Sequence, residues 1–503
     1  MATPRTKAEI AFAELRADDG TGIRTSNGVL FNHTIFARDV CMIGRWIVPL
    51  GPEFQQISKE IILTLSYHQG VEERPKAEEQ PGRIHNEFRD YNTWQAPWWL
   101  KLGGHAVSLL WGGSWRRELT YVSLDTTPLY ILLVTRYVDI VGPEILDQTV
   151  LRRDGQWATI RQCLEAAIDW LATHQTTEGF IASRRRNATG LFYQTWRDSH
   201  TAYVHTDGKI LSLSRPNVYL EPQYLAIDSW RYAAKVFPER AKEFNAKATK
   251  LRDRVLEHFW NEDMRYFYGA LEPTKDGTYK PMKTPTSAAG WLLDSTIFDG
   301  LPVRESQKYL SGIMHRLAQD DFVTPVGLRA RAKGSDSALK VADYHGSWAV
   351  WPVDTFVYAR GLHRQGFNKL AKEQEKRLFA GINTTGSYNE YFLVNPENKV
   401  LYHPHHVPMT AMKPTVLVQI IPEHNLAWTI SAALLIEKGA LPHFRGKPAA
   451  WQKVFEDGLI DWLPPLIQNP VEEVPFRPAN IRGAARVSGI AMRKLISEYV
   501  FQR

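Results

Sequence analysis

The stretch "LFYQTWRDSH", residues 191–200, sets Trp196, Arg197 and Asp198 side by side with no helical or strand period. A carboxyl against an indole is a pairing that suits a general acid, because burial against aromatic surface disfavours the ionised form and raises the pKa. Arg197 would oppose that effect if its guanidinium shared the same space. The chemistry therefore expects Arg197 to point elsewhere, toward another carboxylate or a ligand hydroxyl. A solvated loop that happens to hold an Asp is the alternative reading of this stretch taken alone.

Five further polar and aromatic clusters stand just before apolar segments: "ARD" at 37, "SLDTTP" at 123, "NVYLEPQ" at 217, "YHGSWAVWPVD" at 344 and "PEHNLAW" at 422. Helix N-termini favour carboxylates and hydroxyls, so Asp39, Asp125 and Ser347 also fit plain cap or first-turn roles. If the apolar segments form an inner ring of helices, their N-terminal ends converge at one mouth. A ring of Asp, Glu, Arg, His and Trp there outlines a polyol-binding site.

The elements that must position these residues are helical. Apolar residues recur at i, i+3, i+4 and i+7 over 37–48, 52–69, 125–141, 157–175, 217–237, 239–260, 304–318, 346–365, 368–383 and 422–439. One kind of helix is amphipathic and charged, as in 238–260. The other is apolar all round, as in 347–365 and 425–437, and should be buried on every side. Alternating inner and outer helices predict an all-α fold, an (α/α)6 toroid barrel that twelve helices would close. The reading is one domain over 1–503. Residues 1–35 form an N-terminal extension with a brief β-like segment ("NGVLFNHTIF"). Residues 460–503 form an irregular C-terminal wrap, Pro-rich over 463–483, ending in a last helix.

Composition narrows the function. The chain has 503 residues, 44% hydrophobic and 23% charged, as expected of a globular protein with a large core. Its 17 Trp and 20 Tyr suit stacking on sugars or bases beyond what a core needs. The net charge of +7 is mild over this length, and the densest basic run is Arg184, Arg185 and Arg186. That run is too short for a nucleic-acid stripe, so no nucleic-acid partner is expected. Cys41 and Cys163 read as core thiols. No apolar leader core and no membrane-length apolar run is present, so a cytoplasmic chain without a membrane partner is expected, and the sequon at Asn187 would be idle. "GGHAVSLLWGGSW" lacks phosphate-loop spacing. His403, His405 and His406 in "YHPHHVP" could ligate zinc from a strand, but no nearby Cys or second carboxylate motif supports it. No cofactor is expected, and oligomeric state is left open.

The motifs, taken in order, resemble the amylo-α-1,6-glucosidase domain of glycogen debranching enzymes, within the (α/α)6-barrel glycosidases that include glucoamylases and trehalases. The similarity runs from about residue 30 to about 440. The family's "SRD" stands here as "ARD" (Arg38, Asp39), "IPHEIR" as "RIHNEFR" (Glu87, Arg89), "VDATPLF" as "SLDTTPLY" (Asp125) and "NQGWKDS" as "FYQTWRDS" (Trp196, Arg197, Asp198). "EVQGY" stands as "LEPQYLA" (Glu221, Gln223), "GIRT…YHNGSVWPHD" as "GLRA…YHGSWAVWPVD" (Tyr344, His345, Trp348), and "PELF…SPQAW" as "YNEYF…PEHNLAW" (Glu390, Trp428). Val353 replaces a His, His424-Asn425 replaces Pro-Gln, and the family's small N-terminal β-rich domain is absent or much reduced.

The resemblance implies an inverting, exo-acting glycoside hydrolase, an α-glucosidase acting on an oligosaccharide or small glucoside. Such enzymes place two carboxyls about 6.5–9.5 Å apart across the scissile bond, one as acid and one as base. The resemblance assigns the acid to Asp198 and the base to Glu390, with Glu423 and Glu397 as rivals for the base. It assigns sugar contacts to Arg38, Asp39, Glu87, Arg89, Asp125, Arg197, Glu221, Gln223, Tyr344 and His345, and stacking surface to Trp94, Trp196, Trp348, Trp351 and Trp428. Trp351 and Trp428 lie in apolar helices and also fit core packing. A phosphorylase on a similar barrel and a catalytically silent carbohydrate-binding barrel are the rival functions. A phosphorylase would want basic or Ser/Gly residues where Glu390 stands.

Overall fold

The computed structural model describes residues 5–28, 31–182, 184–335, 339, 341–402, 409–412, 417–420, 422–444, 448–464, 466 and 471–473. Its helices in chain order are α1 (Lys7–Glu14), α2 (Ala37–Ile47), α3 (Pro52–Tyr67), α4 (Trp98–Leu110), α5 (Thr126–Ile140), α6 (Ile160–Thr173) and α7 (Leu220–Val236). Then come α8 (Ala241–Phe259), α9 (Val303–Leu317), α10 (Pro352–Gln365), α11 (Asn368–Thr385), α12 (Ala427–Glu437) and α13 (Ala450–Ile460). All ten segments with helical periodicity carry a helix. The periodic pattern missed α1, α4 and α13.

Local chemistry sets several of the boundaries. The 157–175 segment begins as a strand, Trp157–Thr159, and turns helical where Thr159 and Gln162 form a reciprocal capping box. The segment expected to be helical from 346 begins only at Pro352, which occupies the first turn of α10 and needs no amide partner there. Gly366 ends α10 in the left-handed region at φ 88°, a conformation that favours glycine.

An all-α description needs correction. Among the described residues, short strands pair at many points between helices. Thr34–Phe36, Glu87–Asp90 and Arg117–Thr120 form an antiparallel sheet with the second strand central, in a register that sets Arg89 opposite Glu118. Ala349–Val350 pairs with Phe392–Val394, which pairs with Val400–Tyr402. Strands this short are stabilised by the helices they join, so an alternating pattern long enough to read never develops. The expected C-terminal helix and most of the expected C-terminal wrap fall outside the described residues.

The chain divides into two compact units. The first takes in the described residues of Met1–Trp196, Leu225–Arg254 and Asn425–Ala440. In it, α2 packs on α3, α5 and α12, α12 packs on α1, and α5 packs on α6. Every residue of α12 from Ala427 to Leu435 is buried, as an all-apolar helix requires. The second unit takes in the described residues of Arg197–Tyr224, Val255–His424 and Leu441–Arg503. There α10 lies against α11 and the 3-10 turn Ser287–Leu293, and α11 lies against α13. The α10 contact is close because Gly361 lacks a side chain: a Cβ there would stand 2.5 Å from Leu293 Cβ and 2.7 Å from the Asp294 amide nitrogen.

The backbone cannot yield at that contact without moving the 287–293 turn. Gly361→Ala is expected to lower unfolding free energy by about 1–3 kcal/mol. Gly458→Ala, in α13 with open space around it, should be neutral or stabilise by up to about 1 kcal/mol through helix propensity. Urea denaturation of the two variants beside the parent chain measures both.

Candidate active site

In the second unit, Asp198 is half-buried in an irregular segment and its neighbour Arg197 is 1% exposed. The Arg197 guanidinium turns to two carboxylates. Its Nε donates to Glu221 Oε1 at 2.9 Å, and Nη2 donates to Asp354 at 3.1 Å and to Ser287 Oγ at 2.9 Å. Asp354 also accepts from Ser287 Oγ at 2.7 Å and Trp291 Nε1 at 2.6 Å. Burial opposes the charge on Arg197, but Asp354 and then Glu221 outweigh it and push its pKa up. At Glu221 burial wins over Arg197 and the carboxyl is pushed up. These contacts tie the segment that presents Asp198 to α7, α10 and the 287–293 turn.

A second buried arginine holds the facing segments. Arg329 Nη1 donates to the carbonyls of Ser347 at 2.8 Å and Val394 at 2.7 Å, and Nη2 donates to that of Asn395 at 2.7 Å. This draws the 344–351 stretch against 392–395. Between them lies an aromatic nest. The Tyr344 hydroxyl donates to Asp198 Oδ1 at 2.9 Å. Trp351 Nε1 donates to the Tyr344 carbonyl at 2.6 Å, its ring stacks on His345 at 4.8 Å, and Tyr391 lies 5.1 Å from it. Burial, then the charge of Asp198, and more weakly those of Asp343 and Glu390, hold the Tyr344 phenol well above its ordinary pKa. It therefore stays a donor.

Glu390 is half-buried beside Tyr391. Its amide donates to the Glu423 carbonyl at 2.8 Å, and the Glu423 amide donates to Glu390 Oε2 at 3.2 Å. An N–H aimed at this oxygen suits a carboxylate. Ser387 Oγ and His424 Nδ1, 2.7 Å apart, tie the same two segments. Glu423 is buried and Glu397 is exposed in the turn at 395–399.

Several expected sugar contacts take other roles. Arg197 is committed to Glu221 and Asp354, and Glu221 accepts from Arg197. Gln223 is fully buried in α7 and donates to the Tyr219 carbonyl at 2.8 Å. Trp94, Trp196, Trp348, Trp351 and Trp428 are all buried rather than open platforms. Apolar helices and loop interiors enclose the indoles, and His345 already covers a face of Trp351. His403, His405 and His406 lie outside the described residues. Sequence reasoning passed over Asp343, which accepts from the Thr201 amide at 3.1 Å and the His345 amide at 3.0 Å. Asp354, in "WPVD", carries no role in the motif reading, yet it anchors Arg197. An Asp next to "YH" in a motif already singled out was the available signal.

In the first unit, Arg38 Nε donates to Asp125 Oδ2 at 3.0 Å and Arg38 Nη2 donates to Ser123 Oγ at 2.9 Å. Asp125 occupies the cap position of α5 without a side-chain cap bond, so its carboxylate serves Arg38 rather than the helix. Asp39 is buried in the first turn of α2. Arg89 Nη2 donates to Glu87 Oε1 at 2.7 Å, and its guanidinium lies 4.5 Å from the Trp94 ring centroid. Glu118 joins them unpredicted. It accepts from the Tyr91 hydroxyl at 2.6 Å, and burial, with the charge of Glu87, pushes its carboxyl up to about 8. Among the described residues no group of three or more His, Cys, Asp or Glu is placed to hold a metal.

No family model matches this chain, and no curated protein matches it. Among solved structures it is similar to the GH63 mannosylglycerate hydrolase of Thermus thermophilus, determined in complex with Tris and D-glycerate. The TM-score is 0.53 at 13% identity, over 86% of this chain and 99% of that one. It is equally similar to an uncharacterized conserved protein of the same organism, with a TM-score of 0.53 at 13% identity over 87% of this chain and 100% of that one. At this identity the likeness is one of fold.

Two outcomes follow from the buried charges. Arg197→Met strands Glu221 and Asp354, and unfolding free energy measured by denaturant titration is expected to fall by about 3–5 kcal/mol. In the first unit, His68 is pushed down to about 3 and His85 well below its ordinary value, mainly by burial. Both rings are neutral when folded, so their contribution is complete above the unfolded value of about 6.5 and is lost as pH falls below it, for His68 toward about 3. Stability should decline below about pH 6.5 by up to ~1.4 kcal/mol per pH unit for each ring. A His68→Gln chain should show the shallower slope in a pH series of urea titrations.

Proposed function

We propose that this chain is a glycoside hydrolase on an (α/α)6-type scaffold, and that it is inverting and exo-acting, with an α-glucoside as substrate. The observation that carries the reading is Tyr344. Its hydroxyl donates to one oxygen of Asp198, and its ring stacks at 6.4 Å on Tyr391, the neighbour of Glu390, so one aromatic nest adjoins both carboxyls. The fold likeness to a hydrolase of a glycosidic compound supports it.

In the proposed reaction Asp198, with Oδ1 fixed by Tyr344, carries its proton on Oδ2 and gives it to the departing glycosidic oxygen. Glu390, oriented by the Glu423 amide, takes a proton from the water that attacks the anomeric carbon on the opposite face. Atoms balance as one water consumed and one glycosidic bond cleaved, with the anomeric configuration inverted. His345, Tyr391 and Trp351 pack their rings beside Tyr344 and hold it in place. Arg197, Glu221 and Asp354 position Asp198 without touching sugar.

A panel of α- and β-glycosides with NMR of the first-formed product anomer tests the reading. Turnover of an α-glucoside with release of the β-anomer is expected. Asp198→Asn and Glu390→Gln should each lower kcat by about 10²–10⁴-fold, while Glu423→Gln should leave most of it. Retention of configuration, or full activity in Asp198→Asn, would remove the two-carboxylate scheme. Turnover that depends on added phosphate would replace hydrolysis with phosphorolysis.

A further inference from the structure

Helix α4 is built inside out. It meets its own unit through Gly104, Ser108 and Trp111, spaced to share one face. The Tyr91 hydroxyl donates to the Gly104 carbonyl at 2.8 Å, Ser108 Oγ donates to the Ser114 carbonyl at 3.0 Å, and Trp111 Nε1 donates to the Thr189 carbonyl at 2.8 Å. A Cβ at Gly104 would stand 2.8 Å from the Tyr91 ring, so the packed face admits only a small residue. The outward arc carries Leu102, Val107, Leu109 and Leu110, with Trp98 at its start 77% exposed. Trp115, 55% exposed, folds back and stacks on His105 with ring centroids 4.3 Å apart. An exposed apolar surface this continuous marks an interaction site.

The charge around it is one-sided. From Tyr91 to Arg117 the sequence holds no acidic residue. Lys101 lies on the helix and Arg116 is exposed beside Trp115, while Arg117 shares its charge with Asp90 at 3.1 Å. We propose that α4 and Trp115 form a docking face for an anionic lipid bilayer. A 13-residue helix is about 20 Å long, far short of a span. Lying flat, it would sink its leucines and tryptophans to the acyl boundary and keep Lys101 and Arg116 among anionic headgroups, the composition of an interfacial helix. A two-fold contact between copies would instead bring this stretch, whose charges are all basic, against itself, with no acid in it to offset Lys101 and Arg116. The sequence expectation of no membrane partner rested on the lack of a spanning run. Among the described residues no helix is long and apolar enough to cross a membrane, and the docking face needs none.

Co-sedimentation of the full chain with vesicles tests this. With equal parts phosphatidylcholine and phosphatidylglycerol at low salt the chain is expected to pellet, and with phosphatidylcholine alone to pellet at least about tenfold less. High salt should weaken the binding. Leu102→Ser with Leu110→Ser should lower the partition coefficient by about tenfold or more, with circular dichroism and thermal midpoint unchanged. Lys101→Glu with Arg116→Glu, which leaves the apolar face intact, should lose the preference for anionic vesicles. A chain that stays in the supernatant with anionic vesicles, or that pellets equally in both variants, overturns the proposal. A dimer in sedimentation velocity that the Leu102/Leu110 variant dissolves, without vesicle binding, assigns the face to a second copy and overturns it as well.

Discussion

A guanidinium removed from water must be matched by acceptors or the fold around it fails. Arg197 is such a group, and its acceptors come from α7, α10 and the 287–293 turn. One side chain therefore sets the relative placement of three elements and, through its own backbone, of Asp198. Arg329 does the same for the stretches that carry Tyr344 and Phe392, through the carbonyls of Ser347, Val394 and Asn395. The irregular chain around Asp198 has no ladder to hold it and relies on Arg197, while Arg329 reinforces the pairing of Ala349–Val350 with Phe392–Val394.

The division of labour among polar residues follows from that constraint. Arg197, Glu221, Asp343, Asp354 and Gln223 are fully buried, and each makes hydrogen bonds within the protein. Asp198 and Glu390 remain half-buried. In the proposed reaction a reacting carboxyl must meet both substrate and solvent, while the groups that aim it need rigidity. Tyr344 stands between the two classes, with a phenol that burial and nearby carboxylates keep protonated. Trp351 belongs with the rigid class because His345 already occupies its face.

The helical content was legible because apolar periodicity extends over enough turns to average out local exceptions. The pattern over 425–437 announced a helix buried on all sides, and α12 is one. The short strands were not legible, since two or three residues of alternation carry no signal. Helix α4 escaped for a different reason. Gly103-Gly104 in its middle interrupt the apolar repeat and lower helix propensity, so no clean helical period develops. Arg89 opposite Glu118 was likewise hidden, because register across strands far apart in the chain is not a property of either strand.

What the sequence determined by itself was an inventory and an order: which carboxyls sit in aromatic, irregular chain and which segments must be helical. Those follow from local chemistry, in which a residue's type and near neighbours decide the outcome. Only the tertiary structure decided which polar groups are already used. Arg197, Arg38 and Gln223 read identically as ligand contacts or as internal struts, because the difference lies in acceptors supplied by distant parts of the chain. Burial makes that difference decisive, since a desolvated charge that finds partners within the fold stays with them.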